Sequence, residues 1–67
     1  MSTMDQKAQF LKVYANLPNA TRDEIVAVIG GAPYTWNSAR IEIDQDSVTP
    51  LGEKILDVLV QLGILKP

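Results

Sequence analysis

Apolar positions along this chain fall into four runs separated by glycine, proline and short polar stretches, and the spacing inside each run predicts its form. Phe10, Val13, Tyr14 and Leu17 stand at i, i+3, i+4 and i+7, one stripe of a helix. Thr3 with Gln6 three residues on makes a capping box, so a first helix is expected from about Met4 to Asn16, stopped by Pro18. The run Ile25-Val26-Val28-Ile29 follows a second capping box, Thr21 with Glu24, and ends at Gly30-Gly31. That pattern predicts a second helix over Arg22 to Ile29.

The last run is the clearest. Thr49 is a favoured N-cap, Pro50 suits the first helical position, and Gly63 stands where a left-handed stop belongs. A helix is expected to Leu62, with Ile64 folding back on Leu59 in a Schellman closure. On a wheel, Leu51, Ile55, Leu56, Val58, Leu59, Val60 and Leu62 span about 180°, wider than the roughly 100° a surface helix needs. Such a helix lies at the centre of a bundle, or else its flank at Leu56 and Val60 meets another chain.

Residues 33–44 carry two signals. Ala39, Ile41 and Ile43 alternate with Arg40, Glu42 and Asp44 as in a strand, and Tyr34 and Trp36 could then pair across a turn at Asn37-Ser38. Trp36, Ala39, Arg40 and Ile43 also stand at i, i+3, i+4 and i+7. As a helix the segment would hold Ile41 about 140° from Trp36, on the outer face. The helix is favoured, because a lone two-stranded hairpin is marginal. The expected fold is therefore mainly α: one domain over residues 1–67, four helices, with α+β as the outcome if the third segment is a β-hairpin.

Thr21 to Ala39 resembles a helix-turn-helix, with Ile25 and Ile29 as the buried positions of its first helix, Gly30 at the turn, and Trp36 and Ala39 in its second. The chain departs from that pattern at Val26, Gly31 and Trp36. Two helices packed across a glycine turn, with no DNA involved, account for the same spacing. The resemblance implies a regulator whose second helix presents Tyr34, Asn37, Ser38, Arg40 and Ile41 to the groove. Asn37 would then read adenine and Arg40 guanine.

Charge weighs against that use. The net charge is −2, the six basic residues are scattered, and Glu42, Asp44 and Asp46 follow Arg40 closely. Phosphate contacts by Lys and Arg normally supply much of DNA affinity. With neither Cys nor His, disulfides are excluded and the usual ligands of zinc, iron–sulfur and haem sites are missing. Asp44-Gln45-Asp46 begins like a calcium loop, but Thr49 and Ile55 stand where glycine and a bidentate Glu belong. Asp23-Glu24 suits the first turn of a helix, and Glu53 and Asp57 lie one turn apart on a polar face. No catalytic residue, cofactor or metal site is expected.

The reading is a small, cytoplasmic, non-enzymatic interaction or structural module whose partner is a protein, with a second copy of the chain among the candidates. No run approaches the roughly 20 apolar residues of a membrane helix, and the N-terminal residues show no signal-peptide core. The alternative is a helix-turn-helix regulator binding nucleic acid. The expected interaction surface comprises Tyr34, Asn37, Arg40, Leu56 and Val60.

Overall fold

The computed structural model describes residues 3–67. Their order is α1 (Thr3–Ala15), α2 (Asn19–Arg22), β1 (Ile25–Ile29), β2 (Ala32–Thr35), α3 (Trp36–Ile43) and α4 (Pro50–Gln61). The class is α+β, with four helical segments and one two-stranded antiparallel sheet among the described residues. No helix of the described residues is long and apolar enough to cross a membrane.

The first and last helices form where their local signals put them. α1 buries Phe10 completely and half-buries Val13 and Tyr14, while Thr3, expected as its cap, is its first residue. Thr49 caps α4 by accepting from the Gly52 N–H at 3.0 Å, with Pro50 opening the helix. At its far end Gly63 takes φ of 80°, Gly63 N–H donates to the Val60 carbonyl and Ile64 N–H to the Leu59 carbonyl. This is the Schellman closure. The side chain that folds back into the core is Leu65, however, and Ile64 stays exposed.

The second helix is overturned. Only Asn19–Arg22 is helical, behind Pro18, and Thr21 lies within that turn rather than capping a longer helix. Ile25 to Ile29 is a strand, so the Thr21 to Ala39 segment is not a helix-turn-helix. The physical reason is in the run itself. Four of its five residues are β-branched, which are stiff at χ1 and favour the pleated backbone. Gly30 and Gly31 take φ of 58° and 83°, the two positive values of a type I′ hairpin turn, whose twist matches that of the flanking strands.

The third segment is a helix, as favoured, over Trp36–Ile43. Trp36, Ala39 and Ile43 are buried along one stripe, and Ile41 projects outward. The chain does hold a hairpin, one segment earlier than the alternative proposed, and Tyr34 belongs to its second strand. Thr35 caps α3 in a reciprocal box with Ser38. The Thr35 oxygen accepts from Ser38 N–H at 3.0 Å, and the Ser38 hydroxyl accepts from Thr35 N–H at 2.8 Å.

The core comprises Phe10, Ala27, Trp36, Ala39, Ile43, Ile55, Leu56, Leu59 and Leu65. α4 runs through the middle and touches α1, α3 and β1, which explains its wide apolar arc within one chain. Side-chain ties to distant parts of the chain help hold α1 in place. Lys7 Nζ donates to the Gln45 carbonyl, and the Gln9 side chain pairs reciprocally with the Lys66 backbone. In that pair Gln9 Nε2 donates to the Lys66 carbonyl at 3.2 Å and Lys66 N–H donates to Gln9 Oε1 at 2.8 Å.

Gly52 is where α4 docks on the end of α3. A Cβ built there would lie 2.6 Å from the Glu42 carbonyl oxygen and 2.8 Å from a Val48 methyl carbon. Replacing a helical Gly by Ala ordinarily adds up to about 1 kcal/mol of stability. Here the sign should reverse, because the Glu42 carbonyl is backbone, anchored by the Thr49 N–H and hydroxyl. Gly52→Ala is expected to destabilise by about 1–3 kcal/mol. A urea titration giving equal or greater stability would show that the α3–α4 junction yields easily.

Candidate interaction surface

The hairpin is built by its turn and by one irregularity. Ile29 pairs with Ala32, Val28 with Pro33 and Ala27 with Tyr34, after which the register shifts so that Ile25 meets Thr35. Val26 is the extra residue of this bulge. Alternation without it would place Ile25 on the same face as Ala27. With it, Ile25 turns to the opposite face and joins Val28. Ala27, Ile29 and Tyr34 therefore face the core, whereas Ile25, Val28 and Pro33 face outward. Ile25 is 62% exposed and Val28 59%. Both are large aliphatics on one side of one short strand.

A polar cluster lies elsewhere, around Tyr14 at the end of α1. The Tyr14 hydroxyl donates to Asn37 Oδ1 at 2.5 Å, and Asn37 Nδ2 donates to Asp23 Oδ1 at 2.8 Å. The guanidinium groups of Arg22 and Arg40 stand 4.4 and 5.1 Å from the centre of the Tyr14 ring. Cations over an aromatic face are held by the ring's quadrupole. Arg22 also donates to the Tyr14 and Ala15 carbonyls at 3.1 and 3.3 Å, so it caps the C-terminal end of α1. Arg40 forms an ion pair with Asp44 at 3.3 Å, one helical turn on. The cluster thus binds its own parts together. It fastens α1, the short α2 and α3 to one another.

The residues expected to form one surface are dispersed. Asn37 and Arg40 do come together, but around Tyr14, with Asn37 engaged on both sides of its amide. Tyr34 is half-buried on the inner face of the hairpin, packed against the core. Val60 is half-buried on α4. Leu56 is fully buried, so it offers nothing to a surface of the monomer. The margin of α4 expected outside is inside, and Leu62, near the other margin, is exposed. Of the groove-facing set implied by the helix-turn-helix resemblance, Ser38 is also occupied, within the α3 cap.

Ile25, Val28 and Pro33 were absent from the expected surface, although the sequence does carry their signal. A two-residue Gly-Gly turn between a β-branched run and a second short apolar segment is a hairpin signature. Among the described residues, no group of three or more carboxylates converges as a metal ion would require. Among the described residues, open depressions lie at Arg40, Ile41, Asp44 and Gln45, and between α1 and the loop before α4 at Met4, Lys7, Asp46 and Val48. Comparison with protein families, with curated proteins and with solved structures finds no match for this chain.

Proposed function

We propose that this domain is a non-enzymatic protein-interaction module, and that it docks through the outer face and edge of its hairpin. The observation that carries the reading is the bulge at Val26, which gathers Ile25 and Val28 onto one outward side. Scattered exposed aliphatics are ordinary on any protein, whereas grouped ones on a strand suit a partner that brings matching apolar side chains. A strand beside an unpaired edge also offers backbone hydrogen bonds to an extended peptide. The helical body gives the hairpin a rigid base, since Ala27 and Tyr34 are packed on the core.

The regulator reading has less support. It relied on two helices across a glycine turn, and that turn joins strands. Arg40 is committed to Asp44 and Tyr14, and Asn37 to Tyr14 and Asp23.

Selection of a random peptide-display library on the folded domain tests the interaction reading. Wild type is expected to enrich extended, apolar peptides. The double variant Ile25→Lys/Val28→Lys should fold within about 1 kcal/mol of wild type, because both side chains face solvent, and should enrich none of them. Equal enrichment by both proteins, or none by wild type, would remove the hairpin from consideration.

A further inference from the structure

We infer that the outer edge of β1 pairs antiparallel with β1 of a second copy of this chain, giving a four-stranded sheet in the order β2-β1-β1-β2. The inference rests on the hairpin being the docking element and adds what docks there. In a two-residue hairpin the residues flanking the turn, here Ile29 and Ala32, form the hydrogen-bonded pair, and the next pair, Val28 and Pro33, is not hydrogen-bonded. The N–H and C=O of Val28 therefore point away from β2, to the outer edge of β1. On β2 the equivalent outward position belongs to Pro33, which has no N–H to give.

The two edges of the sheet are thus unlike. Pro33 blunts the β2 edge, and no other strand lies beside β1 among the described residues. A sheet open on one edge closes as a twofold dimer instead of extending into a fibre. The β1 segment Ile25–Ile29 is uncharged and β-branched, and so well matched to itself. An antiparallel arrangement with the twofold at Val28 sets the two Val28 residues opposite each other, each donating to the other's carbonyl.

Charge selects the antiparallel pairing. Asp23 and Glu24 precede β1 in a chain of net charge −2. Parallel strands would place these carboxylates side by side with their copies. Antiparallel strands would separate the two Glu24 residues by roughly 26 Å at 3.3 Å per residue. That exceeds the screening length of about 8 Å at physiological salt. With the twofold at Val28, only residues 27–29 of the two β1 strands overlap, and such an edge is small. A standard interface takes about 800 Å² from each partner, roughly a fifth of the 4202 Å² surface here. The dimer is accordingly weak, with Kd in the range of about 10⁻⁵–10⁻⁴ M.

Sedimentation from about 5 to 500 μM, a range bracketing that Kd, should show the average mass rising from 7.4 kDa toward twice that value. The chain is short enough for total synthesis, so the Val28 amide can be N-methylated, removing the edge donor while leaving every side chain in place. That protein should remain a monomer throughout. Val28→Lys is the second variant, since it sets two like charges directly opposite at the twofold; it should keep its melting temperature and also remain a monomer. A wild type of constant 7.4 kDa mass would overturn the self-pairing. So would a dimer that persists in Val28→Lys. If the monomeric wild type still selects apolar peptides through Ile25 and Val28, the self-pairing falls and the docking reading stands. If it selects none, both fall.

Discussion

Leu56→Gln is expected to unfold the domain at room temperature. Leu56 is fully buried on α4, where it joins Ile55 and Leu59 in the core. Truncating a buried leucine costs about 2–5 kcal/mol, and glutamine adds an amide with no partner in an apolar site, costing about 1–3 kcal/mol more. A domain of 67 residues holds only about 3–10 kcal/mol in total. The substitution therefore removes most or all of the margin. Far-UV circular dichroism should show lost helix, and urea should show no cooperative transition. Leu56→Met is the control, because it conserves volume and should cost less than about 1.5 kcal/mol. A folded Leu56→Gln protein with a transition close to that of wild type would put Leu56 back on the surface.

Trp36→Ala should cost about 3–5 kcal/mol, the usual loss for a buried aromatic. Trp36 is 8% exposed, and its ring lies 5.5 Å from that of Phe10, tilted by 32°. Tilted pairs of this kind add to the area they bury. Trp36 also occupies a junction. It opens α3, its backbone N–H donates to the Glu24 carbonyl at 3.3 Å, and β2 ends immediately before it. The backbone bond survives in Trp36→Ala, so the cost falls on the packing of the ring against Phe10 and the rest of the core. Native fluorescence should be blue-shifted and should move to the water-like maximum on unfolding. A water-like maximum in the native protein would take Trp36 out of the core.

What could be read from the sequence was what neighbours in the chain decide. Thr49, Pro50 and Gly63 bracket α4 through bonds made within a few residues, so both its ends were legible. Phe10 lay on a clean helical stripe, Trp36 on one that competed with a strand alternation, and both are buried. The run Ile25–Ile29 was misread because Thr21 and Glu24 imitate a capping box, and a glycine pair can end a helix or turn a hairpin. Its four β-branched residues in five were the better guide. The side of α4 left uncovered was not legible. A wheel gives the width of an apolar arc, but whether Leu56 or Leu62 is covered depends on where α1, α3 and β1 come to rest. The bulge at Val26 was equally hidden, being a mismatch between two strands rather than a property of either.

The pairing of the Gln9 side chain with the Lys66 backbone has a consequence for how quickly the native state is reached. Those residues are 57 apart in sequence, and Leu65, beside Lys66, is itself part of the core. Closing a loop of that length costs of the order of 3–4 kcal/mol in chain entropy before any contact compensates. The hairpin needs only its two glycines to close, and forms on the microsecond scale of such elements. Refolding should then be limited by the encounter of α1 with the tail beyond α4. Mutations at Gln9 or Leu65 would slow that encounter, whereas changes at the Gly-Gly turn would fall mainly on the earlier, faster event.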